Sequence, residues 1–80
     1  VLIIVDTLRA DHLSSYGWHH RTSPNIDAWA SGRGVLFEKT VAAAPWTIPS
    51  HASIFSGLDC LSHGVNNGDP APPSLTTLAE

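Results

Sequence analysis

The stretch APWTIPSHASIFSG, residues 44–57, gathers hydroxyl and imidazole side chains between two prolines, a tryptophan and the closing Gly57. That is more polar functionality than a core segment needs. Thr47 and His51 are the residues in it whose types could do chemistry. A threonine hydroxyl can attack an ester and pass through a covalent intermediate, provided that something activates it. An imidazole beside it can contact the oxyanion that develops. Each residue also has a plainer reading, Thr47 as a helix-capping threonine and His51 as a buried, hydrogen-bonded histidine. A third side chain of interest is Asp6, whose carboxylate either ligates a metal ion or caps a loop after a strand.

Elements that would position these groups can be read from the punctuation of the chain. Val1–Val5 is an uninterrupted aliphatic run, as expected of a strand buried on both faces of a parallel sheet. It ends at Asp6, and in open α/β sheets ligands bind beyond the carboxyl ends of the strands. SPNIDAWASG predicts a helix, with Ser23 as cap, Pro24 at the first helical position and Gly32 as the stop. Ile26, Trp29 and Ala30 share one face of it. Residues 34–41, GVLFEKTV, read as a second strand or extended segment.

Around Thr47 the same punctuation recurs. Pro49 suits the first turn of a helix, Ala52–Phe55 supply its body and Gly57 its end. Thr47 is thereby placed just before a helix N-terminus, where unpaired N–H groups and the positive end of the dipole favour a phosphate or sulfate oxygen. DPAPPS, residues 69–74, is a loop, and Thr77 with Glu80 has the spacing of a capping box that opens another helix.

Composition limits what such a chain can be. Of its 80 residues 14% are charged, against roughly 25% in an ordinary soluble domain, while 42% are hydrophobic. The chain reads as a piece of a larger α/β protein without an autonomous core, since a parallel strand needs covering on both faces. A net charge of −3 without a basic cluster offers no electrostatic footprint for nucleic acid. The opening apolar run is too short to span a bilayer. Cys60 has no partner cysteine in the chain and reads as a small apolar side chain. His19 and His20 read as a solvated turn, Arg9, Asp11 and Asn25 as structural, and Trp18, Trp29 and Trp46 as packing residues.

Four blocks in register, VDTLRADHLSSYG, SPNIDAWA, PWTIPSHASIFSG and HGV, resemble the N-terminal part of a sulfatase-family protein of the alkaline phosphatase superfamily. The resemblance implies an α/β fold, an alkaline-phosphatase-like sandwich with a central, mostly parallel sheet, and makes residues 1–80 the N-terminal part of its catalytic domain. It implies hydrolysis of sulfate esters or related phosphate esters of small molecules or glycans, and an extracytoplasmic location. Asp6 then matches a ligand of the active-site metal, calcium in typical sulfatases. Thr47 matches the nucleophile, which also contacts the metal.

Three departures from the family pattern bear on the chemistry. Thr7 stands where many sulfatases have a second acidic ligand. Thr47 stands where they carry a cysteine or serine that is oxidised to formylglycine, and His51 where their signature has arginine. A formylglycine hydrate attacks with one hydroxyl and expels sulfate with the other, which a threonine cannot imitate. Direct attack by Thr47 would instead give a phospho- or sulfothreonine. Such chemistry suits phosphoryl transfer, for which zinc, manganese or magnesium could replace calcium. Three classes therefore stand: a metal-dependent ester hydrolase, a phosphotransferase or phosphodiesterase using the same threonine, and a catalytically silent binding homologue.

Overall fold

A computed structural model of the chain describes residues 1–66 and 68–79, in two compact units, Val1–Thr40 and Val41–Glu80. The first opens with residues 1–5, which belong to no helix or strand, and turns at Asp6 and Thr7. It then runs through 3-10 turns at Ala10–His12 and Ser14–Tyr16 into helix α1, Pro24–Arg33. Residues 1–5 and 34–41 join no sheet among the described residues. A strand is held by the N–H and C=O groups of a neighbouring strand, and neither segment has one here. Leu2, Ile3 and Val5 consequently stay exposed.

Helix α1 starts where its punctuation indicates, with Ser23 at the N-cap position and Pro24 first in the helix. The cap works differently from the expected one. Ser23 Oγ bonds no helical N–H but donates to Asp27 Oδ1 at 2.8 Å. Ser14 Oγ donates to the other oxygen of the same carboxylate. These bonds, that from Ser14 foremost, hold the Asp27 carboxyl below its ordinary pKa. The helix also passes the expected stop at Gly32 and ends at Gly34. A Cβ on Gly34 would lie 3.0 Å from Ala30 Cα and 3.1 Å from the Trp29 ring, so a side chain there would press on its neighbours by a few tenths of an ångström.

The second unit is built on α2, Thr47–Ser56, and the four-residue α3, Cys60–His63. Gly57 ends α2 in the left-handed conformation at φ 72, as its sequence position indicates. The orphan carbonyl of Phe55 takes the Leu78 N–H at 2.8 Å, which ties the C-terminal stretch to the end of α2. Sequence reading had no counterpart for α3. Its signal is nonetheless local, for Asp59 caps it by accepting from the N–H groups of Leu61 and Ser62, and Gly64 closes it. Residues 69–74 form the expected loop. Thr77 Oγ1 accepts the Ala79 N–H at 3.3 Å, a cap-like bond, while Glu80 lies outside the described residues.

Burial is sparse, as expected of a chain without a core of its own. Among the described residues only Ser23, Pro49, His63 and Val65 are buried. Half of these are polar. No helix among the described residues is long and apolar enough to cross a membrane.

Candidate functional site

Thr47 is the first residue of α2 rather than the one before it, because Trp46, in extended conformation, takes the N-cap position. The threonine therefore does not cap this helix. Its place in the first turn is where orphan N–H groups and the positive end of the helix dipole gather. Pro49 sits in the same turn and is buried, so its missing N–H withdraws one donor that would otherwise need a partner.

His51 lies one turn further and is half-buried. Its Nδ1 is 2.9 Å from the Thr47 carbonyl oxygen, and the ring leans on Phe55 with centroids 6.3 Å apart. A carbonyl can only accept, so Nδ1 carries the proton of this bond. Nε2 is then the ring nitrogen that the Thr47 carbonyl does not engage. Of the two readings of His51, the hydrogen-bonded one describes Nδ1, and the other remains open to Nε2.

A second polar group, at the corner between α2 and α3, was not singled out in the sequence. His63 is 2% exposed. Its Nδ1 takes the Val65 N–H at 3.0 Å, and its Nε2 lies 3.0 Å from Ser53 Oγ. Ser53 Oγ is 3.7 Å from Cys60 Sγ, which donates to the Ala43 carbonyl at 3.3 Å. The chain begins at a group that can only donate and ends at one that can only accept. Its direction is thereby fixed, from Val65 N–H to His63, to Ser53, to Cys60, to the carbonyl of Ala43. Nε2 holds a proton toward Ser53, so His63 cannot serve as a base for that hydroxyl. The arrangement resembles a nucleophile and its base but is a scaffold. Cys60 is accordingly a hydrogen-bonded thiol and not merely an apolar filler.

In the first unit, Asp6 is exposed, and with Thr7 it forms the turn that ends the opening run. Thr7 has φ 56, in the left-handed region where a β-branched residue is strained by roughly 1–3 kcal/mol. Arg9 and Asp11, taken as structural, form an exposed bidentate pair through bonds of 3.0 and 2.6 Å. The guanidinium holds the Asp11 carboxyl below its usual range. Trp18 is a packing residue, stacked on His12 with centroids 4.6 Å apart and planes within 6°. His19 and His20 are exposed but not simply solvated, since both lean on Trp18. Trp29 and Trp46 are 63% and 48% exposed, so neither packs as expected within its unit.

Thr47 and His51 thus share one helix turn in the second unit, and Asp6 belongs to the first. An exposed carboxylate at a turn is a fitting oxygen ligand for a hard divalent cation. Among the described residues no group of three or more His, Cys, Asp or Glu side chains could hold a metal.

Comparison with known proteins places these residues in a family. The family model described as Sulfatase matches residues 1–80. An arylsulfatase of Clostridium perfringens (strain 13 / Type A) is 42% identical over 64 residues, covering 80% of this chain and 13% of the relative. A protein of Escherichia coli (strain K12) named "Putative transferase YhbX" is 31% identical over 67 residues, covering 84% of this chain and 12% of its own length. The chain thus spans about an eighth of the curated relatives it matches. No solved structure gives a significant match. With its full length matched and its four blocks in register, the chain belongs to the sulfatase family.

Proposed function

We propose that the protein is a metal-dependent ester hydrolase that acts on sulfuric or related phosphate esters through Thr47. The observation that carries this is the place of Thr47 at the first position of α2, in a chain of the sulfatase family. Asp6 is a metal ligand in this reading, one of several, with Thr47 also contacting the metal. Residues 1–5 and 34–41 become strands of an alkaline-phosphatase-like α/β sandwich, the apolar side chains of the first covered by helices on the sheet faces. Calcium is the family expectation; zinc, manganese or magnesium suits a threonine that transfers phosphoryl groups. When bound, the metal supplies positive charge that neutralises the ester oxygens and favours the alkoxide of the nucleophile.

Thr47 Oγ1 forms a bond to sulfur or phosphorus as the bond to the leaving alcohol breaks, and the hydroxyl proton ends on that alcohol. The first turn of α2 offers N–H donors to the oxyanion while the covalent ester forms. His51 stands beside it with Nε2 as the nitrogen for contact with that charge. Water then attacks the ester, releases the inorganic anion and restores the hydroxyl. If a second alcohol attacks instead, the same intermediate gives a transferase, a reading favoured by the likeness to the relative named as a transferase.

The test is made on the full-length protein. Peptide mass spectrometry should find unmodified threonine at position 47, and turnover of aryl sulfate against aryl phosphodiester substrates should name the preferred ester. Thr47→Cys alone should stay a thiol. Combined with His51→Arg and the maturing enzyme, it should acquire an aldehyde. An aldehyde at residue 47 of the wild-type protein would overturn the direct-attack mechanism.

A further inference from the structure

We propose that Thr7 is a positioning residue whose left-handed backbone fixes the Asp6 carboxylate as a ligand for one divalent cation; the inference rests on the reading of Asp6 given under Proposed function. Among the described residues, five have φ in the left-handed region. Four of them are Gly17, Gly57, Gly64 and Gly68, for which that region carries no steric cost. The fifth is Thr7, at φ 56. There the Cβ is crowded against the backbone, and its two branches leave the side chain little freedom to escape.

Elsewhere among the described residues, then, the chain meets a demand for left-handed backbone with glycine. It departs from that habit at the residue bonded to Asp6. Strained backbone persists only where the surroundings over-determine it, and it gathers at ligand sites. At this turn the physical reason is plain. Relaxing Thr7 to a favoured conformation would swing the peptide plane between residues 6 and 7 and re-aim the carboxylate. A glycine would accept the turn without strain, but it would also let the turn sample both signs of φ, so Asp6 would be held loosely. Threonine in this well trades local energy for a single orientation of its neighbour.

Calcium titration calorimetry on the metal-stripped full-length protein tests this, with the thermal midpoint of each metal-free variant measured in parallel. Thr7→Gly should weaken calcium binding by about tenfold or more, the lower end of what loss of ligand orientation costs, without lowering the midpoint. Thr7→Asn, which tolerates the left-handed region, should keep the affinity and raise the midpoint. Thr7→Val should bind like wild type, because it keeps the branched carbon and removes only the hydroxyl. Wild-type affinity in Thr7→Gly would overturn the proposal, and so would a Thr7→Val that loses as much as Thr7→Gly, since the hydroxyl would then be the ligand. Asp6→Ala separates the two layers. If it loses calcium while Thr7→Gly does not, only the positioning role falls; if it binds calcium normally, the reading of Asp6 falls with it.

Discussion

The two histidines of the second unit sit in contrasting surroundings. At the start of α2, His51 is half-buried and spends one ring nitrogen on the Thr47 carbonyl. At the corner of α2 and α3, His63 is buried and spends both, one on Val65 and one on Ser53. A buried polar group must be satisfied from within the protein, and a fully satisfied network rigidifies its surroundings but has no valence left for a substrate. The proposed chemistry is therefore assigned to the Thr47 end of α2, and the Ser53–Cys60–His63 corner holds that helix. The contrast also shows why a serine near a histidine is poor grounds for a nucleophile until the proton between them has been placed.

The largest effect that could break this contrast is expected from Thr47→Ala in the full-length protein. Turnover should fall by several orders of magnitude, as for other covalent nucleophiles, with the thermal midpoint unchanged. Full activity in that variant would remove the α2 N-terminus from the chemistry. His63→Ala should show the reverse pattern. It strips partners from Ser53 and the Val65 N–H and leaves a hole, for a loss of about 2–3 kcal/mol in denaturant unfolding. Activity of the remaining folded protein should persist. A Ser53→Ala variant with the turnover loss of Thr47→Ala would exchange the roles of the two regions.

A smaller effect sharpens the scaffold side. Asp59 caps α3, so Asp59→Ala should cost about 1 kcal/mol and leave catalysis alone. The smallest is a pH effect at the same cap. Hydrogen bonds from Ser62, then Leu61, hold the Asp59 carboxyl below its ordinary 3.8. A carboxyl whose folded pKa is lowered contributes stability above its unfolded value and loses it as pH falls through the folded one. Acid titration of unfolding should therefore show a contribution present at neutral pH and fading below the ordinary carboxylate range. It should be absent from Asp59→Ala; an identical acid profile in that variant would remove the cap from the account.

Much of this was legible from local signals. Pro24 and Pro49 announced the first turns of α1 and α2, and Gly57 its stop, because proline and glycine restrict or free backbone angles whatever surrounds them. Asp59 and Gly64 mark α3 in the same way, but a helix of four residues is too short to show a periodic apolar face. Other local readings erred by one or two positions. Gly32 remained helical and Gly34 took the C-cap position of α1, while Trp46 displaced Thr47 from the boundary of α2.

By itself the sequence determined the bodies of α1 and α2, the family and the identities at the proposed site positions, Asp6, Thr47 and His51. Each rests on residues a few places apart, within reach of capping, steric and spacing rules. Tertiary structure alone decided the direction of the hydrogen-bond chain through residues 43, 53, 60, 63 and 65, and hence that Ser53 is no nucleophile. It also decided the left-handed turn at Thr7, which local preference opposes. The first depends on groups brought together by folding, and a proton's position is fixed by all of its neighbours at once.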